Sequence, residues 1–440
     1  MSVRPSLARR ASGVLLHPTS LPAGRGGPLG PQARAFVDFL ADSGQSWWQM
    51  LPVCPPDETG SPYASPSGFA GDPALAGSPA VLRAEHAKLS KEERDAFASY
   101  CEREKAWLDD HSLFFALKAA HKGRAWTAWP EALRRREPAA LAQASREHAS
   151  DVVRHAFAQW AFARRWDYLR EYASARGVGL IGDLPIYPRH DSADVWAHQD
   201  LFQLDADGRP LAVAGVPPDY FSADGQLWGN PLYKWERHLE TGFAWWVARL
   251  RSVASRFDAV RLDHFIGFRN YWEVPADAET ARDGKWVRAP GDELFAAIRR
   301  ELPQLGILAE DLGTITPAVT ALRDACGFPG MRLGQFSFGG GPEDWPERWP
   351  ENVVAYTGTH DNDTTRGWYE DDGTANNLRP ADAVARERAA FSAAAGGVPG
   401  DPAWALTRLV WRSPARLALA PMQDLLSLPA PARMNRPGTR

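Results

Sequence analysis

The stretch Val260-Arg261-Leu262-Asp263-His264-Phe265 sets a cation and a carboxylate two residues apart at the end of an apolar run. Residues two apart on a strand share a face. Arg261 and Asp263 then point the same way, and the guanidinium favours the ionised carboxylate. An ionised, positioned Asp is what attack on a glycosidic carbon requires. The alternative is a structural Arg–Asp ion pair. A second acid, Glu310, ends the run Ile307-Leu308-Ala309 and is followed by Asp311-Leu312. Burial there raises the pKa of a carboxyl and keeps a proton available for a leaving oxygen, although a supporting role behind the site fits the residue equally well. A third stretch, Tyr356 to Thr365, packs His360, Asp361, Asn362 and Asp363 together. It reads as a divalent metal site on His360, Asp361 and Asp363, as a grip on sugar hydroxyls, or as a polar turn. No further His stands at a standard ligand spacing.

Seven short apolar runs could position these groups: Gly13–His17, Trp47–Pro52, Val178–Asp183, Ala259–Asp263, Ile307–Asp311, Val353–Thr357 leading to His360-Asp361, and Leu417–Pro421 leading to Gln423-Asp424. Each reads as a doubly buried parallel strand that ends in polar residues. Helical patterns lie between several of them, at Gln32–Ser43, Phe243–Arg256, Asp292–Glu301 and Thr316–Ala325. Repeated strand–helix units of this kind are the signature of a (β/α)8 TIM barrel, one strand short in this reading. A doubly wound sheet is the alternative, but no GxGxxG follows the first strand. One unit averages roughly 30 residues, so Asp263, Glu310 and Asp361 fall on nearby units and reach one rim. The whole chain, 1–440, reads as one decorated barrel. Residues from about 84 to 172 break the alternation and predict a helical insertion, either a packing appendage or the wall of a groove. The segments Gly339–Pro350 and Ala394–Pro402 read as loops. So do Ser61–Tyr63, Gly215–Phe221 and Gln226–Tyr233, which serve either as rigid turns or as stacking platforms.

Composition narrows the partner. The net charge of −4 gives no basic footprint for nucleic acid. Nineteen Trp suit a protein that stacks flat rings against sugars. Three scattered Cys build neither a disulfide framework nor a metal knuckle. No apolar run is long enough for a membrane span, and the basic start carries no signal-peptide core. A cytoplasmic protein is the expectation.

Taken together, these strings resemble the 4-α-glucanotransferases (amylomaltases, disproportionating enzymes) of glycoside hydrolase family 77. The likeness runs through Leu15–Pro22, Ser61–Tyr63, Ala70–Pro73, Gly182–Tyr187, Gly215–Phe221, Trp228–Tyr233, Arg261–Phe265, Ala309–Gly313, Gly358–Thr364, Arg433–Asn435 and Pro437–Thr439. The resemblance implies a decorated barrel and a retaining double displacement on α-1,4-glucans. Asp263 becomes the nucleophile and Glu310 the acid and then the base. Asp361 binds sugar hydroxyls and stabilises the oxocarbenium-like transition state, with Arg261 and His360 in support. Tyr63, Asp219, Gln226, Trp228, Asp311 and Asn435 become glucan-binding positions. No metal or organic cofactor is implied. The implied partners are maltooligosaccharides and starch- or glycogen-like α-1,4-glucans, with no nucleic acid and no membrane. A hydrolase using the same carboxylates and an inactive glucan-binding protein are the alternatives.

The chain departs from the family pattern at Ala64, Gly68 and Asp72, near Tyr63, where swaps alter donor or acceptor preference. The Phe338–Pro350 segment is shorter than usual, which implies a changed lid. Family members usually continue beyond the Pro-Gly-Thr turn into a Trp-containing segment and a last helix, whereas this sequence ends at Arg440. A final strand without a covering helix would leave apolar barrel surface exposed at roughly 25 cal/mol per Å2.

Overall fold

The computed structural model describes residues 6–22, 24, 27–218, 224–373 and 380–435. These residues form strands β1 (Ala11–Leu15), β2 (Trp47–Gln49), β3 (Gly179–Leu184), β4 (Ala212–Val216), β5 (Gln226–Pro231) and β6 (Ala259–Leu262). Six more follow: β7 (Asn270–Pro275), β8 (Lys285–Arg288), β9 (Gly306–Ala309), β10 (Gly330–Leu333), β11 (Val353–Tyr356) and β12 (Leu417–Pro421). Eight of them make one parallel sheet in the order β10-β11-β12-β1-β2-β3-β6-β9. Its two ends meet where the Ala309 N–H donates to the Pro329 carbonyl at 2.9 Å. The fold is a (β/α)8 TIM barrel.

The barrel interior is dry and close-packed. Trp47, Ile181, Ala259, Leu308, Met331, Val354, Tyr356 and Leu419 meet there. Their neighbours along the same strands, such as Leu180, Val260 and Ile307, point outward into the strand–helix core. Gly13 lets β1 approach β2, since a Cβ there would sit 2.3 Å from the Trp47 carbonyl oxygen. The covering helices present narrow apolar faces. Gly291–Glu301 buries Leu294, Phe295, Ala297 and Ile298, the spacing of a helix lying on a core. Pro317–Cys326 starts on the Thr316 side chain, which accepts from the Val319 N–H, and stops at left-handed Gly327.

Four differences from the sequence reading have physical causes. The eighth strand is β10, whose short Gly-Met-Arg-Leu sequence lacks the continuous apolar run that marked the other seven. Of the stretches expected as loops, Gly215 and Val216 end one strand and Gln226–Pro231 forms another. They supply β4 and β5 to a separate antiparallel sheet of order β5-β4-β7-β8. The Phe338–Pro350 segment folds inward, with Phe338 and Trp349 buried beside Leu406 and Val410, so it is a packed flank. The bare surface expected at the final strand is absent among the described residues. All five residues of β12 are buried, and Ala418 packs with the helix Pro402–Arg412.

Between β2 and β3 the chain is helical, with Pro79–His86, Lys91–Ala120, Pro138–Glu147 and Ala149–Ala175. The two long helices join through Tyr100, Leu108, Phe157 and Trp160. No described helix is long and apolar enough to cross a membrane.

Candidate active site

The alternation that fills the barrel also delivers charge to its carboxyl end. Ile181 and Leu308 face inward, so Asp183 and Glu310, two residues on, face the mouth. From inward Ala259 the same parity carries Arg261 and Asp263. Arg261 is buried. Its Nη1 donates to both Asp183 oxygens and to Asp263 Oδ1, each at 2.9 Å. Its Nη2 lies 4.0 Å from Glu310 Oε2. One guanidinium therefore serves three carboxyl groups, which gathers negative charge where a positive centre could be met.

The Glu310 side chain lies beside this guanidinium, 12% exposed. Burial, reinforced by the Asp263 charge and only partly opposed by Arg261, pushes its carboxyl up to about 8. The His264 N–H donates to Oε2 at 2.7 Å and the Leu312 N–H to Oε1 at 3.1 Å. Each carboxyl oxygen has two lone pairs, so both bonds coexist with a bound proton. His264 reaches this position through a left-handed backbone, φ +50°, a strained conformation of the kind that collects at functional sites. Burial pushes its imidazole down to about 4, so the ring is neutral at pH 7. It packs edge-on against Trp228, 4.8 Å between centroids.

A second chain of contacts runs from Asp183. The Tyr63 hydroxyl donates to Asp183 Oδ2 at 2.8 Å, and burial lifts its pKa well above the ordinary tyrosine value. With that proton committed, the phenolic oxygen accepts from His360 Nε2 at 2.7 Å. The same nitrogen lies 3.1 Å from Asp361 Oδ2, while Asn435 Nδ2 donates to Asp361 Oδ1 at 2.7 Å. Burial alone would raise the Asp361 pKa. His360, Arg261 and Asn435 outweigh it and hold the carboxyl well below the usual range. Asp361 is thus an anion over the whole physiological range.

Asp263, Glu310 and Asp361 line one cavity of about 370 Å3, together with Gln226, Trp228 and Arg261. An adjoining cleft of about 540 Å3 is lined by Tyr63, Asn435, His17 and Asp72. A wider groove of about 900 Å3, between the helices Pro31–Asp42 and Ala149–Ala175, holds none of the three acids. Asp311 is not brought to either cavity. Adjacent residues of an extended chain face opposite ways, and Asp311 is buried against Arg323 and the Met331 N–H. Through these contacts it joins β9 to β10. Asp219, with Tyr220 and Phe221, lies outside the described residues, as do Pro437–Thr439. Among the described residues no group of three or more His, Cys, Asp or Glu is placed to hold a metal, and Asp363 Oδ1 accepts from the Thr364 N–H.

Two residues at the site stand at strand ends in the sequence but are given no role there. Asp183 ends the run Val178–Asp183 and shares the inward parity of Ile181, a signal open to the reasoning applied to Asp263. Asp424 follows β12 and is buried. It accepts from the Thr357 hydroxyl at 2.5 Å and from the Thr365 N–H and hydroxyl, both at 2.7 Å. It thereby fixes both ends of the loop that carries His360 and Asp361.

A (β/α)8 barrel whose mouth joins a proton-bearing glutamate to two further carboxylates around an arginine defines an enzyme of glycosidic-bond chemistry. The family comparison agrees. The sequence model of glycoside hydrolase family 77, described as 4-alpha-glucanotransferase, matches residues 16–86 and 76–440. The 4-alpha-glucanotransferase of Thermus thermophilus is 47% identical, over 98% of this chain and 93% of that protein. That of Synechocystis is 42% identical, over 98% and 92%. The amylomaltase of Streptococcus agalactiae, solved in complex with acarbose, superposes with a TM-score of 0.90 at 37% identity, over 98% of this chain and 93% of that one. The chain belongs to the 4-alpha-glucanotransferase (amylomaltase) family, glycoside hydrolase family 77, and its activity is glucan transfer.

Proposed function

We propose that the chain transfers α-1,4-glucan segments by a retaining double displacement, with Asp263 as nucleophile and Glu310 as acid and then base. In the first step the Asp263 carboxylate attacks the anomeric carbon while Glu310 gives its proton to the departing oxygen. This leaves a glycosyl ester on Asp263. In the second step Glu310 takes the proton from an acceptor 4-hydroxyl, whose oxygen displaces Asp263 and restores the α linkage. Asp361, held anionic, binds sugar hydroxyls and stabilises the oxocarbenium-like charge that develops in the transition state of each step. The observation that carries this reading is the shared guanidinium. Arg261 bonds Asp263 at 2.9 Å and lies 4.0 Å from Glu310, so one cation gathers nucleophile and acid at the same mouth, as a double displacement through both carboxyl groups requires.

The substrates are maltooligosaccharides and starch- or glycogen-like glucans. Tyr63 and Asn435 line the cleft beside Asp361 and hold the donor, while Gln226 and Trp228 line the cavity beside Glu310. Incubation with maltotriose tests the function. Glucose together with maltotetraose and longer products is the expected result. Glucose and maltose with no elongation would mean that water is the acceptor.

A further inference from the structure

The small antiparallel sheet carries a tryptophan on each of its two outer strands. Trp228 lies on β5 and Trp286 on β8, the two outer strands of the order β5-β4-β7-β8. Strands stand about 4.8 Å apart, so three spacings put the two edges roughly 14 Å from one another. Both residues line the cavity that holds Asp263 and Glu310, together with Val216, Pro217 and Pro218. The pairing of Gly215 with Leu227 and with Trp272, and of Trp272 with Trp286, puts Trp228 on one face of the sheet and Trp286 on the other, at its β8 edge.

Trp286 is 49% exposed, although an indole on an edge strand loses contact with water readily when a packing partner exists. Its support is nonetheless firm. It faces Trp272 across the β7–β8 ladder, ring to ring at 5.2 Å and 70°. Trp272 is itself pinned, its Nε1 donating to the Ala281 carbonyl at 2.7 Å. Gly284 leaves the space for it, since a Cβ there would lie 2.2 Å from that nitrogen. A large, half-exposed apolar ring held on a rigid buttress at the rim of a polar cavity is the form of a stacking platform for the C–H face of a sugar.

The direction of the chain follows from the chemistry proposed above for Glu310, on which this inference rests. Glu310 serves the leaving oxygen and then the attacking hydroxyl, so the leaving group and the acceptor occupy its side of the cavity. The attacking 4-hydroxyl belongs to the non-reducing end of the acceptor. The remaining sugars must lead away from Glu310. Trp228 packs on His264, next to Asp263, and so stands at the first acceptor sugar. Trp286 lies across the sheet, too far for the same ring to reach both.

We propose that Trp286 is a glucan-binding residue of the acceptor side, stacking on the second or third sugar of an acceptor oligosaccharide and favouring oligosaccharides over free glucose as acceptors. Trp286→Ala removes the platform and Trp286→Phe keeps a ring in its place. Starch serves as donor, with added glucose or added maltotriose as the acceptor, and loss of iodine staining gives KM for each acceptor.

In Trp286→Ala the KM for maltotriose should rise about tenfold, equivalent to ~1.4 kcal/mol for one lost stacking contact. The KM for glucose should rise by no more than about twofold on the same scale. Trp286→Phe should recover most of the maltotriose affinity. An equal rise for both acceptors, or none for maltotriose, overturns the assignment. Glu310→Gln measured alongside separates the two ideas. Transfer that persists in that variant removes the acid–base reading beneath the proposal, whereas its loss together with an unsplit KM in Trp286→Ala removes the acceptor platform alone.

Discussion

Replacing Glu310 with Gln should stabilise the protein, and more so as pH rises. In the unfolded chain this carboxyl has its ordinary value of 4.5, and in the folded chain it is pushed up to about 8. Between those values the folded state binds the extra proton. The group therefore costs nothing below pH 4.5, and stability is lost as pH rises toward 8. Linkage puts the cost at roughly 1 kcal/mol at pH 5 and about 4 kcal/mol at pH 8. Gln does not titrate and escapes it. Its amide can accept only one of the two N–H groups of His264 and Leu312, which gives back ~1 kcal/mol. The net effect is close to zero at pH 5 and a gain of ~3 kcal/mol at pH 8. Urea unfolding of the parent and the variant at the two pH values reads this directly. A difference between the proteins that is the same at both pH values would refute the argument, because it would mean that the fold does not hold Glu310 protonated. The gain, if found, measures what the site gives up in stability to keep an acid there.

Two further perturbations probe the parts that hold the site. Asp424→Ala strands two buried hydroxyls and one N–H at the ends of the His360–Asp361 loop, with an expected loss of about 3 kcal/mol. Circular dichroism melts should show that loss, and Asp424→Asn should recover more than half of it. Gly13→Ala forces a methyl against the Trp47 carbonyl inside the barrel wall and should cost ~2 kcal/mol or more in urea unfolding. A neutral result there would mean that β1 and β2 can separate freely.

The barrel and its acids were legible because strand parity is a local rule. Arg261, Asp263 and Glu310 all point where a period of two sends them. The same rule, applied one residue further, separates Asp311 from Glu310, and from Ile181 it finds Asp183. The family resemblance named Asp311 as a ligand where parity turns it outward. The strand β10 escaped notice because its Gly and Arg interrupt the apolar run, and its place is secured by long-range pairing with β11. The small sheet escaped for the same reason. Its Pro and Gly residues read as turns, yet β4 and β7 pair across nearly sixty residues of chain. Asp424 could be seen only as an acid beyond the run Leu417–Pro421; its role could not, since its three donors come from Thr357 and Thr365, more than fifty residues away.

The covalent ester on Asp263 is the centre of the account, and trapping it is the most direct test. An α-maltosyl fluoride blocked at its 4-position needs no proton to release fluoride and cannot itself act as acceptor. Incubated with Glu310→Gln, in which the second step is slowed, it should leave one maltosyl unit on the peptide that contains Asp263, as read by digestion and mass spectrometry. An unmodified peptide despite fluoride release, or a sugar found on Asp361 or elsewhere, would contradict the mechanism.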